Sequence, residues 1–253
     1  MLQGVGFTEW RLPPANVLLA SGEVHVWQVN VDAVAQYRLS YERVLSPDEQ
    51  RRSALYRFDK DRVRFTTGRA ALRFILGRYT SESPAELRFS KGPYGKLALI
   101  SDSEEAVPNF SVTHSNALIL IALARTHLVG VDVEKYDAAF PVDAISTRFL
   151  HLGEQSALRS LPKDKRACGF LVCWTRKEAY LKAIGCGLCV GLDQFEVSTD
   201  LAEASLRRVS WDPDDAERWS LQSLAAHPEY IAALAVKGKD FDMKFWDGNS
   251  LLA

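Results

Sequence analysis

The sequence predicts an α+β protein built as a pseudo-dimer of two similar halves, residues 1–126 and 127–253, with a ligand cleft between them. Three correspondences carry this reading. The stretch VHVWQV at 24–29 lies on VGVDVE at 129–134. Residues 69–75 (RAALRFI) lie on 178–184 (EAYLKAI), sharing Ala, Leu and Ile in place and a basic residue at the fifth position. A strand, turn, strand pattern over Leu221 to Ala235 answers one over Ser111 to Ala124. A weak repeat of this length points to duplicated α+β units, each burying one sheet face under a helix.

Residues 1–21, with Pro13-Pro14 and no sustained period, read as a lead-in arm. Val24 to Val31 alternates in polarity and predicts a strand. Ser46-Pro47-Asp48-Glu49 predicts a helix start: Ser46 is the N-cap, Pro47 takes the first helical position, and Glu49 completes a capping box. A second helix is predicted from Asp59 to Tyr79, its buried face supplied by Phe65, Ala71, Leu72, Ile75 and Leu76. The same helix carries Lys60, Arg62, Arg64, Arg69 and Arg73, a basic face that would be solvated if it met no ligand.

Ser83-Pro84 reopens a helix or turn, Leu87 to Ser90 predicts a short strand, and Lys91 to Lys96 is a loop by its glycines and proline. Phe110 to Thr113 and Leu118 to Ala124 predict paired strands, placing Thr113 and His114 at a strand end where side chains can converge on a ligand. Val129 to Glu134 is the next strand. Phe170 to Leu188 is helical in pattern, and Gly185-Cys-Gly187 follows the helix, so it is a helix stop and not a phosphate-cradling loop.

The composition belongs to an ordinary globular protein, 47% apolar and 25% charged over 253 residues. A net charge of -1 gives no global attraction to nucleic acid or anionic membrane, so an anionic ligand must be met by a local cluster. The N-terminus lacks the pattern of a signal peptide and no apolar run is long enough to span a bilayer, which predicts a cytoplasmic protein. Its four cysteines, Cys168, Cys173, Cys186 and Cys189, would then be reduced. Their spacing superficially resembles a zinc site. Within a helix, however, the five residues from Cys168 to Cys173 turn the side chain by about 140° and aim the sulfurs apart.

Asp132 and Glu134 interrupt an apolar strand and leave it on one face. Glu178 lies in the later helix, with Lys182 one turn on. A Glu178 to Lys182 pair alone would be a surface ion pair, but two acids in an apolar strand need a partner. Three carboxylates beside a lysine suit a divalent cation next to a phosphate, since Mg²⁺ takes oxygen ligands and shares them with phosphates. The sequence has no Walker loop, no H-E-x-x-H and no G-x-S-x-G. Metal-assisted attack on a phosphate ester or anhydride remains.

Five motifs in order then narrow the class. They are Phe89 to Lys96 (FSKGPYGK), Phe110 to Ser115 (FSVTHS), Gly130 to Glu134 (GVDVE), Phe149 to Glu154 (FLHLGE) and Trp174 to Lys182 (WTRKEAYLK), the last continued by Ala183 to Leu188. With these the chain resembles the 4′-phosphopantetheinyl transferases of the larger, two-halved type known from surfactin synthesis. The resemblance covers roughly residues 58 to 188.

It implies that Asp132, Glu134 and Glu178 bind Mg²⁺ and that Glu178 and Lys182 are catalytic, Lys182 holding the pyrophosphate of coenzyme A. It further implies that Lys60, Arg64, Lys96, Thr113 and His114 meet the co-substrate. The implied reaction moves the phosphopantetheine arm of coenzyme A to a serine of an apo acyl carrier protein or carrier domain and releases adenosine 3′,5′-bisphosphate. The implied enzyme is a monomer that binds neither nucleic acid nor membrane. The proton of the serine would go to Glu178 or to a metal-bound water, and the residues leave that choice open. A coenzyme A or carrier-binding module that has lost catalysis is the alternative. Its mark would be a missing acid, and none is missing.

Overall fold

The structure, a computed structural model, describes residues 8–80, 82–101, 107–187, 190–200 and 202–253. The elements run β1 (Glu23–Asn30), α1 (Val31–Val34), α2 (Arg38–Tyr41), α3 (Pro47–Ala54), α4 (Asp59–Gly77), β2 (Arg88–Lys91), β3 (Leu97–Ile100), β4 (Asn109–Ser115), β5 (Leu118–Ala124) and β6 (Val129–Lys135). They continue with α5 (Val142–Phe149), α6 (Leu152–Ser160), α7 (Lys163–Ile184), β7 (Phe195–Val197), β8 (Leu206–Val209), β9 (Trp219–Leu224), β10 (Tyr230–Lys237) and β11 (Asp242–Asp247).

Two main sheets have the orders β11-β1-β5-β4 and β6-β10-β9. Without β11, the first reads β1-β5-β4, which is the second with its strands renamed, and in both every pairing is antiparallel. The long helix of each half packs on its own sheet. Ala71, Leu72, Ile75 and Leu76 of α4 share a core with Trp27, Val29, Ile119 and Ile121. Phe170, Ala179 and Ala183 of α7 do the same with Ile231, Ala233 and Ala235.

The sheets also bury their other faces against each other. Val24, Val26, Leu120 and Ala122 meet Val131, Val133, Ala232 and Leu234 in a third core. Here the structure goes beyond the one-face-per-half expectation, and it explains why every residue of β5 is buried. A strand covered on both faces reads as a continuous apolar run, as LILIALA does. Each valine or leucine in this layer contributes about 1.5–3 kcal/mol of burial, so the layer holds the two sheets together.

Residues 242–247, the last strand in sequence, return to the first sheet. There β11 pairs in parallel with β1, with Val26 opposite Phe245. A parallel pair needs a long connection, and this one is most of the chain. The lead-in arm lies along β11: Arg11 bridges to Trp246, and Trp10 meets the Phe245 ring edge-on at 5.4 Å.

Local signals hold where they were strong. Ser46 Oγ accepts from Glu49 N, and Glu49 Oε2 accepts from Ser46 N at 2.9 Å, the capping box read from sequence. Glu49 also accepts from the buried Arg73 at 2.8 Å, which ties α3 to α4. Helix α7 ends at Gly185, whose φ of 74° a side chain would strain and whose N–H donates to the Leu181 carbonyl. Cys168 and Cys173 are free thiols; Cys173 lies in the α7 core, and burial pushes its thiol well above the usual range. Leu188 and Cys189 lie outside the described residues.

Candidate active site

The site begins at the seam between β4 and β6. Alternation along β4 puts Ser111, Thr113 and Ser115 on one face, and all three hydroxyls reach across to β6. Ser111 Oγ accepts from Val131 N at 3.1 Å, Thr113 Oγ1 donates to Asp132 Oδ1 at 3.0 Å, and Ser115 Oγ donates to Glu134 Oε2 at 2.9 Å. Ser115 Oγ also accepts from Lys135 N at 3.0 Å. A hydroxyl zipper thus joins the halves where no backbone ladder does, and it presents both acids of β6 at one edge.

Helix α7 brings the remaining groups. Trp174, Glu178 and Lys182 recur every four residues and so share a face. That face comes close to β6 because of Gly130: a Cβ there would stand 2.0 Å from the Ala179 carbonyl oxygen and 2.4 Å from Ala183 N. The glycine of GVDVE is therefore required by backbone contact with the helix. Two residues on, Asp132 meets Lys182, whose Nζ lies 2.5 Å from Asp132 Oδ1 and 3.0 Å from Thr113 Oγ1.

Asp132, Glu134, Glu178, Trp174, Thr113 and Lys182 line one recess of about 330 Å³, with His114 at its edge. His114, Glu178 and Lys182 also face a larger cleft of about 440 Å³ between α4 and α7, whose opposite wall includes Arg52, Arg64 and Arg69. The basic copy of the duplicated helix therefore faces the acidic copy across this cleft. Lys96 lies on the cleft wall and donates to the Ala183 carbonyl at 2.8 Å, near the C-terminus of α7. Lys60 is exposed and lines a separate recess with Asp61 and Lys135; Arg64 borders both spaces.

The charges perturb one another. Burial raises the Asp132 carboxyl, and Lys182 and Thr113 pull it partly back. Glu134 is raised by burial and by the Asp132 charge; Glu178 is raised by burial, then by Asp132 and Glu134, with Lys182 opposing. His114 is lowered by desolvation and by the cations Arg64 and Lys182. Burial also lowers Lys96 and Arg69, so charged ammonium and guanidinium groups there gain from an anion.

Among the described residues, no three carboxylate, imidazole or thiol groups close around one point. Lys182 stands against Asp132, and Ser115 holds Glu134. The donor set nonetheless suits a hard divalent cation. All its donor atoms are carboxylate oxygens, Asp132 raises both glutamates and Glu134 raises Glu178, and Asp132 Oδ2 is buried with no hydrogen-bond partner.

A family model described as the 4′-phosphopantetheinyl transferase superfamily matches residues 128–235. The 4′-phosphopantetheinyl transferase HetI of Nostoc sp. (strain PCC 7120 / SAG 25.82 / UTEX 2576) is 34% identical over 237 residues, covering 94% of this chain and 97% of its own. The chain belongs to the 4′-phosphopantetheinyl transferase superfamily. The transferase Sfp of Bacillus subtilis (strain 168) is 27% identical over 199 residues, covering 74% of this chain and 84% of its own. A crystal structure of Thermotoga maritima holo-[acyl-carrier-protein] synthase overlaps 44% of this chain and 62% of its own at a TM-score of 0.35 and 21% identity, too little to carry an argument.

In this transferase the sequence alone gives no cleft role to Arg52 or Tyr56, both of which line the cleft. Arg52 comes from the end of α3 and lies over the Phe65 ring at 5.3 Å, with Arg69 over the same ring at 5.5 Å. No periodicity links α3 to α4, so only the fold could bring Arg52 in. Its position in the last turn of a capped helix was the one available signal.

Proposed function

We propose that the chain transfers the 4′-phosphopantetheine arm of coenzyme A to a serine of an apo acyl or peptidyl carrier protein, with Mg²⁺ required. The observation that carries this reading is the two-walled cleft, acids and Lys182 on α7 and β6 facing Arg52, Arg64 and Arg69 on α3 and α4. An anionic diphosphate nucleotide fits such a gap better than a neutral ligand does.

Asp132, Glu134 and Glu178 would hold Mg²⁺, which supplies charge neutralisation at the diphosphate. Lys182, freed from Asp132 when that charge is shared, would bind a diphosphate oxygen; Thr113 fixes the Asp132 carboxylate that both rely on. Arg64, His114 and Lys96 would meet the co-substrate along the cleft, while Lys60, exposed in the adjoining recess, would stand outside it.

The serine oxygen attacks the phosphorus bearing the pantetheine arm. The bond from that phosphorus to the bridging oxygen breaks, and adenosine 3′,5′-bisphosphate leaves with the bond's electron pair. The serine proton goes to Glu178, the carboxylate that lines both the acidic recess and the cleft. In this reading residues 1–126 supply the basic wall and 127–253 the acidic one, and the protein works as a cytoplasmic monomer.

The test is incubation with coenzyme A, Mg²⁺ and several apo carrier proteins, followed by intact mass. A carrier that gains one phosphopantetheine arm is expected. If no carrier gains it, the reading is wrong, and the intact acids would then belong to a binding module.

A further inference from the structure

Helix α7 buries polar side chains on the face turned away from the cleft, where an apolar stripe would be the simpler solution. At about 100° per residue, Lys177 stands about 100° from Glu178 around the axis, and Tyr180 about 200°. Lys177 is fully buried with Glu154, Nζ to Oε1 2.8 Å. It also donates to the carbonyls of Leu192 at 2.7 Å and Phe195 at 2.5 Å, and it lies 4.2 Å from the centre of the Phe195 ring.

Glu154 is held as firmly. Its Oε1 accepts from Val197 N at 2.8 Å, and its Oε2 accepts from His151 N at 2.9 Å in the cap of α6. All three donors of the ammonium are used, and both carboxylate oxygens are bonded. One ion pair thereby joins α6, α7, the 192–195 turn and β7.

A buried ion pair is weak evidence for stability, because desolvation offsets much of the attraction. What it supplies is direction. Apolar packing lets a helix slide or turn by a fraction of an ångström, whereas three hydrogen bonds at one nitrogen do not. Lys177 is the chain neighbour of Glu178, so fixing its side chain fixes the rotation that aims Glu178 at Asp132 and Glu134.

We propose that Lys177, clamped by Glu154, is the positioning residue of the transferase site. It sets the rotation of α7 so that Glu178 reaches the reacting atoms, without itself touching substrate. This rests on the function proposed above, and its failure is separable from that of the function: if wild-type protein transfers no arm, the function falls first.

The test compares Lys177→Met/Glu154→Gln with Tyr180→Phe. The second variant removes another buried bond of the same helix, Tyr180 to Asp215 Oδ2 at 2.5 Å, on the side away from Glu178. For each, the thermal midpoint, the KM for coenzyme A and kcat are measured. The expected result is a kcat at least tenfold lower in the Lys177 variant, with KM within twofold of wild type. Tyr180→Phe should keep kcat within twofold at an equal or larger loss of thermal midpoint.

Should the double variant fail to fold, Glu154→Gln alone supplies the comparison, since it keeps Lys177 and its two carbonyl bonds. If kcat follows the thermal midpoint across all variants, or if the Lys177 or Glu154 change leaves kcat intact, the pair is merely structural and the proposal is overturned.

Discussion

Gly130→Ala is the sharpest probe of how the site is built, because it adds one methyl group at the contact between β6 and α7. The new Cβ would sit 2.0 Å from the Ala179 carbonyl oxygen, 2.4 Å from Ala183 N and 2.9 Å from Ala183 Cβ. Real Cβ contacts essentially never fall under 3.0 Å, so strand and helix must separate by about 1 Å. Two of the three obstacles are backbone, which cannot turn away as a side chain would. Overpacking of this kind costs about 1–3 kcal/mol, and a core buried on both faces has little room to absorb it.

The functional cost should be larger than the structural one. Lys182 Nζ sits 2.5 Å from Asp132 Oδ1, and Glu178 shares its helix face. Moving α7 by about 1 Å against β6 misplaces both, and a displacement of that size costs on the order of 10²-fold in rate. Steady-state transfer to an apo carrier, alongside a thermal melt, reads both effects. A Gly130→Ala protein that melts with wild type and turns over within threefold of it would refute the claim that the glycine sets the geometry.

The remaining predictions are shorter. Glu178→Gln should lower transfer by about 10²–10⁴-fold, as loss of a general base does, with a melting temperature equal to or above wild type because one of three mutually repelling charges is gone. Arg64→Ala should raise the KM for coenzyme A at least fivefold while Lys60→Ala changes it less than twofold, since Arg64 borders the cleft and Lys60 is exposed in the neighbouring recess. Equal effects in the two variants would contradict that placement.

Glu23 gives a pH test away from the site. Burial alone would raise its carboxyl, but hydrogen bonds from Lys244, Ala20 N–H and His25 bring it from 4.5 down to about 2. Its stabilising effect is therefore present above about pH 4.5 and is lost as pH falls toward 2. Lys244 is partly exposed, which limits the effect to about 1–2 kcal/mol. Glu23→Gln should destabilise by that amount at pH 7 and flatten the acid limb of urea midpoints; an unchanged limb would count against the assignment.

The parts of this fold that sequence made legible are those set by neighbours in the chain. The capping box at Ser46, the helix from Asp59 and the hairpin around Asn116 all follow from residues within one or two turns of each other. The duplicated plan was legible for the same reason, since each half repeats its local pattern.

What stayed hidden depends on distant partners. Nothing near Asp242 says that β11 will pair with β1, and the parallel ladder joins residues more than 200 positions apart. Lys177 and Arg176 look like surface cations until the carbonyls of Leu192, Phe195 and Ser198 are seen to receive them. Because α7 carries polar groups on both its cleft and core faces, its pattern gives little sign of which face is inward. At the site itself, sequence placed Asp132, Glu134, Glu178 and Lys182 in one constellation, and the structure brings all four to one recess. The pairing of Lys182 with Asp132 was less predictable, because spacing alone joins Lys182 to Glu178.

The most direct test of the account counts products. Adenosine 3′,5′-bisphosphate released and carrier protein modified are measured in the same reaction, with and without Mg²⁺. The account predicts one nucleotide per modified carrier, and neither product once the metal is chelated. Nucleotide released without carrier modification, or transfer that continues in excess chelator, would contradict it.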